Sequence, residues 1–499
     1  MTITRRTFLK TTLNAALAAA IPVFSSRHAF ARSERAVREF RFTARPQQVS
    51  LGKGPDFYAW TYNGQVPGPE IRVKEGEIIR VILENRLPEG TSIHWHGLPV
   101  PNAMDGVPGV TQEPVKPGET FIYEFEARPA GTFIYHSHSG YQLDQGLYGP
   151  LIIDPISESR GYDREYALML EDWVMKDGGG VAATRRRPPM GMMGGMMEAR
   201  GGMGMMGGLM GRRGMGMMGR GSRSAPGENE PLLEPLYDAY AVNGRVYPEV
   251  PPLMVTKGDR VKLRLMNPSS ATIYHLRLAG HPLTITNADG NPVKPLVTDV
   301  LRIGMGERYD VEFAADNPGN WLLAAQELGF GESMLQVPVH YRGVSPQRPV
   351  EPDFRRGLRM ASYRELEALI PSDEPAPRSA DRFYTQTLSG GMHSPFWTIN
   401  GRVYPDLELM VVQKGELVRI GYTNHSMMPH PMHLHGHFFR VINPRVPPYR
   451  WILKDTIVVD PMQQVEIEFV ANNPGRWFHH CHNLYHMEAG MANLVVYRS

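Results

Sequence analysis

The chain has 499 residues, 42% of them apolar and 21% charged, with 51 Gly and 43 Pro, which describes a folded protein of two or three domains and excludes disorder and collagen-like repeats. It carries 29 Met and 18 His beside a single Cys, so a disulfide scaffold is excluded while soft and borderline metal-binding side chains abound. The formal net charge of +2 includes Arg5, Arg6, Lys10 and Arg27 in the first 31 residues, which hold no acid; the remainder is slightly acidic and gives no reason to expect nucleic acid or an anionic membrane as a partner.

Residues 1–31 read as an export signal. Thr4-Arg5-Arg6-Thr7-Phe8-Leu9-Lys10 precedes a weakly apolar run from Thr11 to Phe24, and the small-residue pattern Ala29-Phe30-Ala31 follows as a cleavage site. The order resembles a twin-arginine signal, so the mature protein is expected in a bacterial periplasm or outside the cell. The run is shorter than the ~20 residues a spanning helix needs, and no integral membrane segment is expected in the mature chain. In that oxidising compartment the lone Cys has no intramolecular partner and needs another job.

Three segments then repeat one pattern. Tyr62-Asn63-Gly64 leads to Asn85, Val242-Asn243-Gly244 to Asn267, and Ile399-Asn400-Gly401 to Asn424, each through a Pro-containing turn and a Lys/Gly turn. The stretches Ile78 to Leu83, Val261 to Leu265 and Leu417 to Tyr422 alternate with the period of strands. Each copy closes on a Gly and an aromatic entering a strand, at Gly131-Thr132-Phe133, Gly319-Asn320-Trp321 and Gly475-Arg476-Trp477. The repeat predicts an all-β domain present three times, at 36–155, 160–345 and 380–499. The second copy is interrupted at 190–218, where 12 Met and 11 Gly fill 29 positions, a composition that builds no core. Residues 346–379, rich in Pro and charge, read as a linker, with a short helix expected from Ser362 to Ile370.

The repeats place histidines in register. Nine and eleven residues after Asn85 stand His94 and His96, and the same offsets from Asn424 reach His433 and His435; from Asn267 they reach Leu276 and Leu278. Five and seven residues after Gly131 stand His136 and His138, and after Gly475 His480 and His482, whereas Gly319 leads to Ala324 and Gln326. Residues two apart on a strand share a face, so each His-x-His pair presents two imidazoles together. Imidazole suits copper, zinc, iron and nickel, and the choice comes from His480-Cys481-His482 with His486 and Met491 beyond it. Alternation sends Cys481 to the face opposite His480 and His482. A Cys with two His, the second being His430, and a distant Met is the donor set of a blue-copper electron-transfer centre; zinc would more often use several Cys, or three ligands and a water.

With His94-Trp95-His96-Gly97, His136-Ser137-His138, His430-Pro431-Met432-His433-Leu434-His435 and His480-Cys481-His482 through His486 to Met491, the chain resembles the three-domain multicopper oxidases, within them the bacterial copper-resistance protein A and laccase-like branch. The resemblance covers essentially the whole mature chain. It implies three consecutive cupredoxin-like Greek-key domains of barrel or sandwich form and four copper ions per chain. By motif position, type 1 copper would be held by His430, Cys481 and His486 with Met491 axial, and type 2 by His94 and His433. The type 3 pair would take His96, His136, His138, His435, His480 and His482. Electrons from a one-electron donor would pass through Cys481 to His480 and His482, and dioxygen would be reduced to water between domains one and three. Asp105 matches a family acid near that cluster, whereas Glu488 is one residue out of register with another. Thioether sulfur prefers Cu(I), so the Met-rich stretch points to Cu(I) as donor, with small phenols beside it, in a monomeric copper-tolerance enzyme. Met428 fits a Met that some cuprous oxidases carry, but Ser426 stands where they have an Asp. A general laccase with an incidental Met loop and a copper-sequestering protein are the alternatives.

Overall fold

The computed structural model describes residues 36–157, 161–175, 234–326, 333–355, 358–370, 379–391 and 396–498; the export signal and the Met-rich stretch lie outside them. The described residues form three all-β units in succession, each built from two sheets. The first pairs a sheet of Phe57–Tyr62, Val37–Val49, Ile78–Asn85 and Thr120–Glu126 with one of Ile71–Lys74, Tyr148–Asp154, Gly131–His136 and His94–His96. The second and third repeat this plan with seven and five strands, and with six and five. In each unit the opening strand runs parallel to the strand that leads to the repeat's Asn: Val37–Val49 beside Ile78–Asn85, Arg164–Trp173 beside Arg260–Met266, which stops one residue short of Asn267, and Arg382–Ser389 beside Leu417–Asn424. Among the described residues no helix is long and apolar enough to cross a membrane.

The repeated asparagines explain why spacing carried so much information. Asn63, Asn243 and Asn400 sit at positive φ of 58°, 50° and 54°, which Asn tolerates better than most residues. Their Oδ1 atoms accept from the amides of Thr43, Met169 and Thr387 at 2.8, 2.8 and 2.7 Å. At the end of each repeat Asn85, Asn267 and Asn424 are fully buried and donate from Nδ2 to two carbonyls each: Glu89 and Val115, Thr272 and Ile303, Met428 and Val459. A buried amide that satisfies two loop carbonyls fixes where the next strand starts, because leaving them unpaired costs about 1–3 kcal/mol each.

Two expectations are corrected. Ser362 to Ile370 is not helical: Glu365 folds back to accept from the Ser362 amide and hydroxyl, closing a turn, after which Ala368 bridges to Val293 and donates to Arg450 O. Pairing with neighbouring extended chain satisfies the backbone that a helix would have satisfied internally. Secondly, the middle unit's first strand is one residue out of the counted register. His94 lies opposite His136 and His433 opposite His480, but Ala324 lies opposite Arg277. The loop after Asn267 is one residue longer, so Arg277 and Ala279, rather than Leu276 and Leu278, occupy the positions of the histidine pairs. A one-residue shift exchanges the two faces, and Leu276 and Leu278 are accordingly buried in the hydrophobic core.

Candidate metal centre

The histidine pairs of the first and third units converge. The first histidines of each motif, His94 and His433, bring their Nε2 atoms to 3.4 Å of each other. His435 and His480 approach at 3.1 Å between Nε2 atoms, and His138 and His480 at 3.4 Å. The His482 ring stands 4.8 Å from His96 and 5.3 Å from His136, centroid to centroid. Donor atoms of His94, His433 and His435, of His94, His96 and His136, and of His138, His435 and His480 form sets with every member within 4.8 Å of the others. All eight rings are buried. His138, His435 and His482 lie just past the strand ends, so in three pairs the strand aims one ring and the following turn the other, while His94 and His96 both sit on their strand.

The opposite ring edges are held. Nδ1 of His94 meets Asp105 O at 2.8 Å, of His136 Ser137 O at 2.9 Å, of His433 Asp455 O at 2.8 Å, of His480 Cys481 O at 2.9 Å, and of His435 Asp105 Oδ2 at 3.0 Å. A carbonyl or carboxylate only accepts, so these contacts put the proton on Nδ1 and leave an Nε2 lone pair aimed into the site. Burial holds His96, His136, His138, His435, His480 and His482 well below the ordinary histidine range, and lowers His433 as well. Neutral lone pairs facing one another across about 3 Å repel unless a cation lies among them. Nε2 of His136 and both nitrogens of His482 are buried without a hydrogen-bond partner in the protein, which fits nitrogens that serve as metal donors.

On the other face of strand Arg476–Cys481, Cys481 Sγ stands 3.7 Å from Nδ1 of both His430 and His486, whose Nδ1 atoms are 3.1 Å apart. Burial pushes the thiol up and both imidazoles down, so the sulfur gives up its proton only to something that replaces the positive charge, as a soft metal does. The five-residue helix Leu484–Glu488 sets His486, its first turn capped by Asn483, which accepts from the amides of Tyr485 and His486. Met491 is buried in the same core as Cys481 and accepts from the Cys481 amide through its carbonyl. The donor set of one thiolate and two imidazoles beside a thioether-bearing residue fits copper by its chemistry.

Several residues at the two sites were not singled out by the sequence. Asp455 lies against His96 Nε2 at 3.1 Å, and Arg308 clamps both its oxygens at 2.7 and 2.6 Å. At the thiolate site the hydroxyl of Ser426, which the sequence did point to, meets His430 Nε2 at 2.7 Å. An acid is on the other imidazole: Glu234 Oε1 stands 3.1 Å from His486 Nε2 and accepts from Asn483 Nδ2 at 2.5 Å. Trp397 covers the His486 ring at 3.9 Å. Asn483 beside the ligand motif was the one legible signal, and it does not name its partner 249 positions away.

Comparisons with known proteins agree with this geometry. Sequence models of the multicopper oxidases match residues 43–158, 220–340 and 377–499. The chain is 34% identical to the multicopper oxidase MmcO of Mycobacterium tuberculosis, covering 91% of this chain and 86% of that one. It is 28% identical to a copper resistance protein A homolog of Pseudomonas syringae pv. tomato over 92% of each. The crystal structure of a multicopper oxidase from Pseudomonas thermotolerans superposes with a TM-score of 0.67 at 26% identity, covering 93% of this chain and 100% of that one.

Proposed function

This chain belongs to the multicopper oxidase family, an oxidoreductase with oxygen as acceptor, and from that premise we propose that it is an exported cuprous oxidase of copper tolerance, with phenols as secondary donors. We assign His430, Cys481, His486 and Met491 to type 1 copper, His94 and His433 to type 2, and His96, His136, His138, His435, His480 and His482 to the type 3 pair, four ions in all. Copper bound there supplies one-electron oxidation at the thiolate site and four-electron reduction of dioxygen to water at the histidine site.

The chain's own residues divide the work. Cys481 is covalently flanked by His480 and His482, so the two sites share one stretch of backbone and need no mobile carrier between them. Asp105 holds the His435 Nδ1 proton at 3.0 Å, and its second oxygen has no hydrogen-bond partner in the protein and lies 3.3 Å from His94 Nδ1; we assign it proton delivery at the cluster. Asn85 and Asn424 hold the loops that fix the histidine register.

The contact that carries the donor reading is Glu234 on His486. A carboxylate beside the outward nitrogen of a thiolate-site imidazole attracts a cation, which supports a cationic donor such as Cu(I) over a neutral phenol. Support also comes from the Met-rich composition of 190–218 and from the copper-resistance names of similar proteins. The test is copper content together with oxygen uptake on Cu(I) and on a phenol, for the wild type, a 190–218 deletion and Glu234→Gln. Four coppers per chain, with both changes lowering uptake on Cu(I) and sparing the phenol, is the expected result. Equal activity on both donors after both changes would make the enzyme a laccase.

A further inference from the structure

The middle unit donates no histidine to either site, yet it reaches the histidine cluster through Gly306 and Arg308. We propose that Arg308 is a positioning residue for that cluster: by clamping Asp455 it decides which ring nitrogen His96 turns toward the metal and fixes the His433 strand beside it. The proposal rests on the ligand assignment above.

His96 is held the wrong way round relative to its neighbours. His94, His136, His433, His435 and His480 all have Nδ1 engaged outside the cluster. His96 instead places Nε2 3.1 Å from both Asp455 Oδ1 and Thr456 Oγ1, and its Nδ1 is buried without a partner in the protein. A carboxylate paired in a fork with a guanidinium is acceptor-only, so the His96 proton belongs on Nε2 and the Nδ1 lone pair is the one offered to a metal. Asp455 is not itself a free ligand, because Oδ1 already accepts from Arg308 Nη1 at 2.7 Å and Thr456 Oγ1 at 2.9 Å, and Oδ2 from Arg308 Nη2 at 2.6 Å. The backbone carbonyl of Asp455 and the Thr456 hydroxyl also hold His433 Nδ1, at 2.8 and 3.1 Å. One residue clamped by Arg308 thus holds a ring from each terminal unit, His96 by its carboxylate and His433 by its backbone carbonyl.

Arg308 is fully buried and fixed from three sides. Nε donates to Thr132 O, on the strand that carries His136, at 3.2 Å, and Nη1 to Gly306 O at 3.0 Å; its amide donates to Asp289 Oδ1 at 3.0 Å. Two glycines make room. A Cβ on Gly97 would meet Arg308 Nη2 at 2.3 Å and Asp455 Oδ2 at 2.6 Å. A Cβ on Gly306 would meet His482 Cδ2 at 2.8 Å and His96 Cε1 at 2.9 Å. A buried ion pair adds little net stability once its desolvation is counted, so a plain tie between units would not need this fit; orienting a metal-binding ring does.

Arg308→Lys keeps the buried charge and loses the fork, and Asp455→Asn keeps the shape and loses the acceptor-only carboxylate. In both full-length variants, copper per chain should fall from four toward one. The thiolate-to-copper absorption should persist, the type 2 EPR signal should be lost or altered, and affinity at the histidine site should drop about 10–100-fold, as for other groups that orient metal ligands. Copper-free Arg308→Lys should melt close to copper-free wild type, whereas copper-free Asp455→Asn, which leaves the buried guanidinium short of an anion, should melt lower. Four coppers with an unchanged type 2 spectrum in either variant would overturn the proposal. So would loss of the thiolate-site copper in step with a lowered copper-free melting temperature, which would make the pair a tie between units only. A wild type that binds no thiolate copper, or fewer than four ions when fully loaded, would instead overturn the ligand assignment itself.

Discussion

The same pair of strands is used in three ways that amount to two. In the terminal units, His94 and His433 face out of their sheets toward each other, while the neighbours Trp95, Met432 and Leu434 face the cores. In the middle unit the corresponding outward positions hold Arg277 and Ala279, and Leu276 and Leu278 fill the core. One backbone plan therefore serves as a metal platform or as a plain sandwich, depending on one face of two strands. A fully buried Leu contributes about 1.5–3 kcal/mol by leaving water, whereas a buried imidazole lone pair costs free energy until something accepts it. The middle unit is self-sufficient; the terminal pair is completed by its metal.

The sharpest way to break this comparison is at Cys481, where the terminal platform has two faces. Cys481→Ser should reduce oxygen uptake on every donor to the background of copper-free protein and abolish the thiolate-to-copper absorption. The histidine site, on the other face of the strand, should still bind copper. Loss of copper from both sites in equal measure would show that the two faces are not independent.

A second contrast separates packing from metal. Leu276→Ala leaves a cavity in the middle core and should cost about 2–5 kcal/mol with or without copper. His433→Ala should leave the copper-free protein much closer to wild type while erasing most of the stabilisation that loading gives, since a ligand that binds only the folded state stabilises by mass action. Paired melting curves of loaded and chelated protein check both. Equal losses for His433→Ala in the two states would mean the ring serves as core.

These contrasts also show what could be read from residue order. The all-β repeat was legible because each copy keeps its Asn-Gly turn and its buried strand-end Asn, whose local hydrogen bonds pin the register. The histidines proposed as ligands were legible as candidates because strand alternation carries them at offsets of two. Where a loop changed length by one residue after Asn267, counting assigned the wrong middle-unit positions, Leu276 and Leu278, while still reaching the right conclusion that no histidine pair is there. The helix expected at Ser362 to Ile370 failed for a related reason, since its partners Val293 and Arg450 are remote in sequence. Asp455, Arg308 and Glu234 were illegible because each acts through a contact between units, and nothing local marks a carboxylate as the one that meets an imidazole hundreds of residues away.

The smallest expected effect sits on one middle-unit strand, Arg164–Trp173, two of whose three acids are treated oppositely. Burial works against ionisation of Glu165, but Arg264, with Tyr162 and Arg72, outweighs it and holds Glu165 at about 2. Glu171 has no cation against it among the described residues: burial, and to a lesser degree Asp172 beside it, itself pushed up to about 7, raise it to about 8 despite hydrogen bonds from Trp173 Nε1 and the Gly244 amide. A carboxyl with a raised folded-state pKa binds its proton more tightly in the native state than in the unfolded chain. Its contribution is therefore present at low pH and is lost as pH rises from about 4.5 to about 8, with a slope of up to about 1.4 kcal/mol per pH unit. Glu171→Gln keeps an acceptor for Gly244 and removes the proton equilibrium, so it should flatten the fall in copper-free stability between pH 6 and pH 7 by about 1 kcal/mol. Glu165→Gln should lower stability by a constant amount across that interval, leaving its slope unchanged, and its effect should fade as pH falls from about 4.5 toward about 2. If Glu171→Gln kept the wild-type slope, the acid would be ionised in the fold, and Trp173 and Gly244 would be hydrogen-bonded to a buried charge rather than to a buried neutral group.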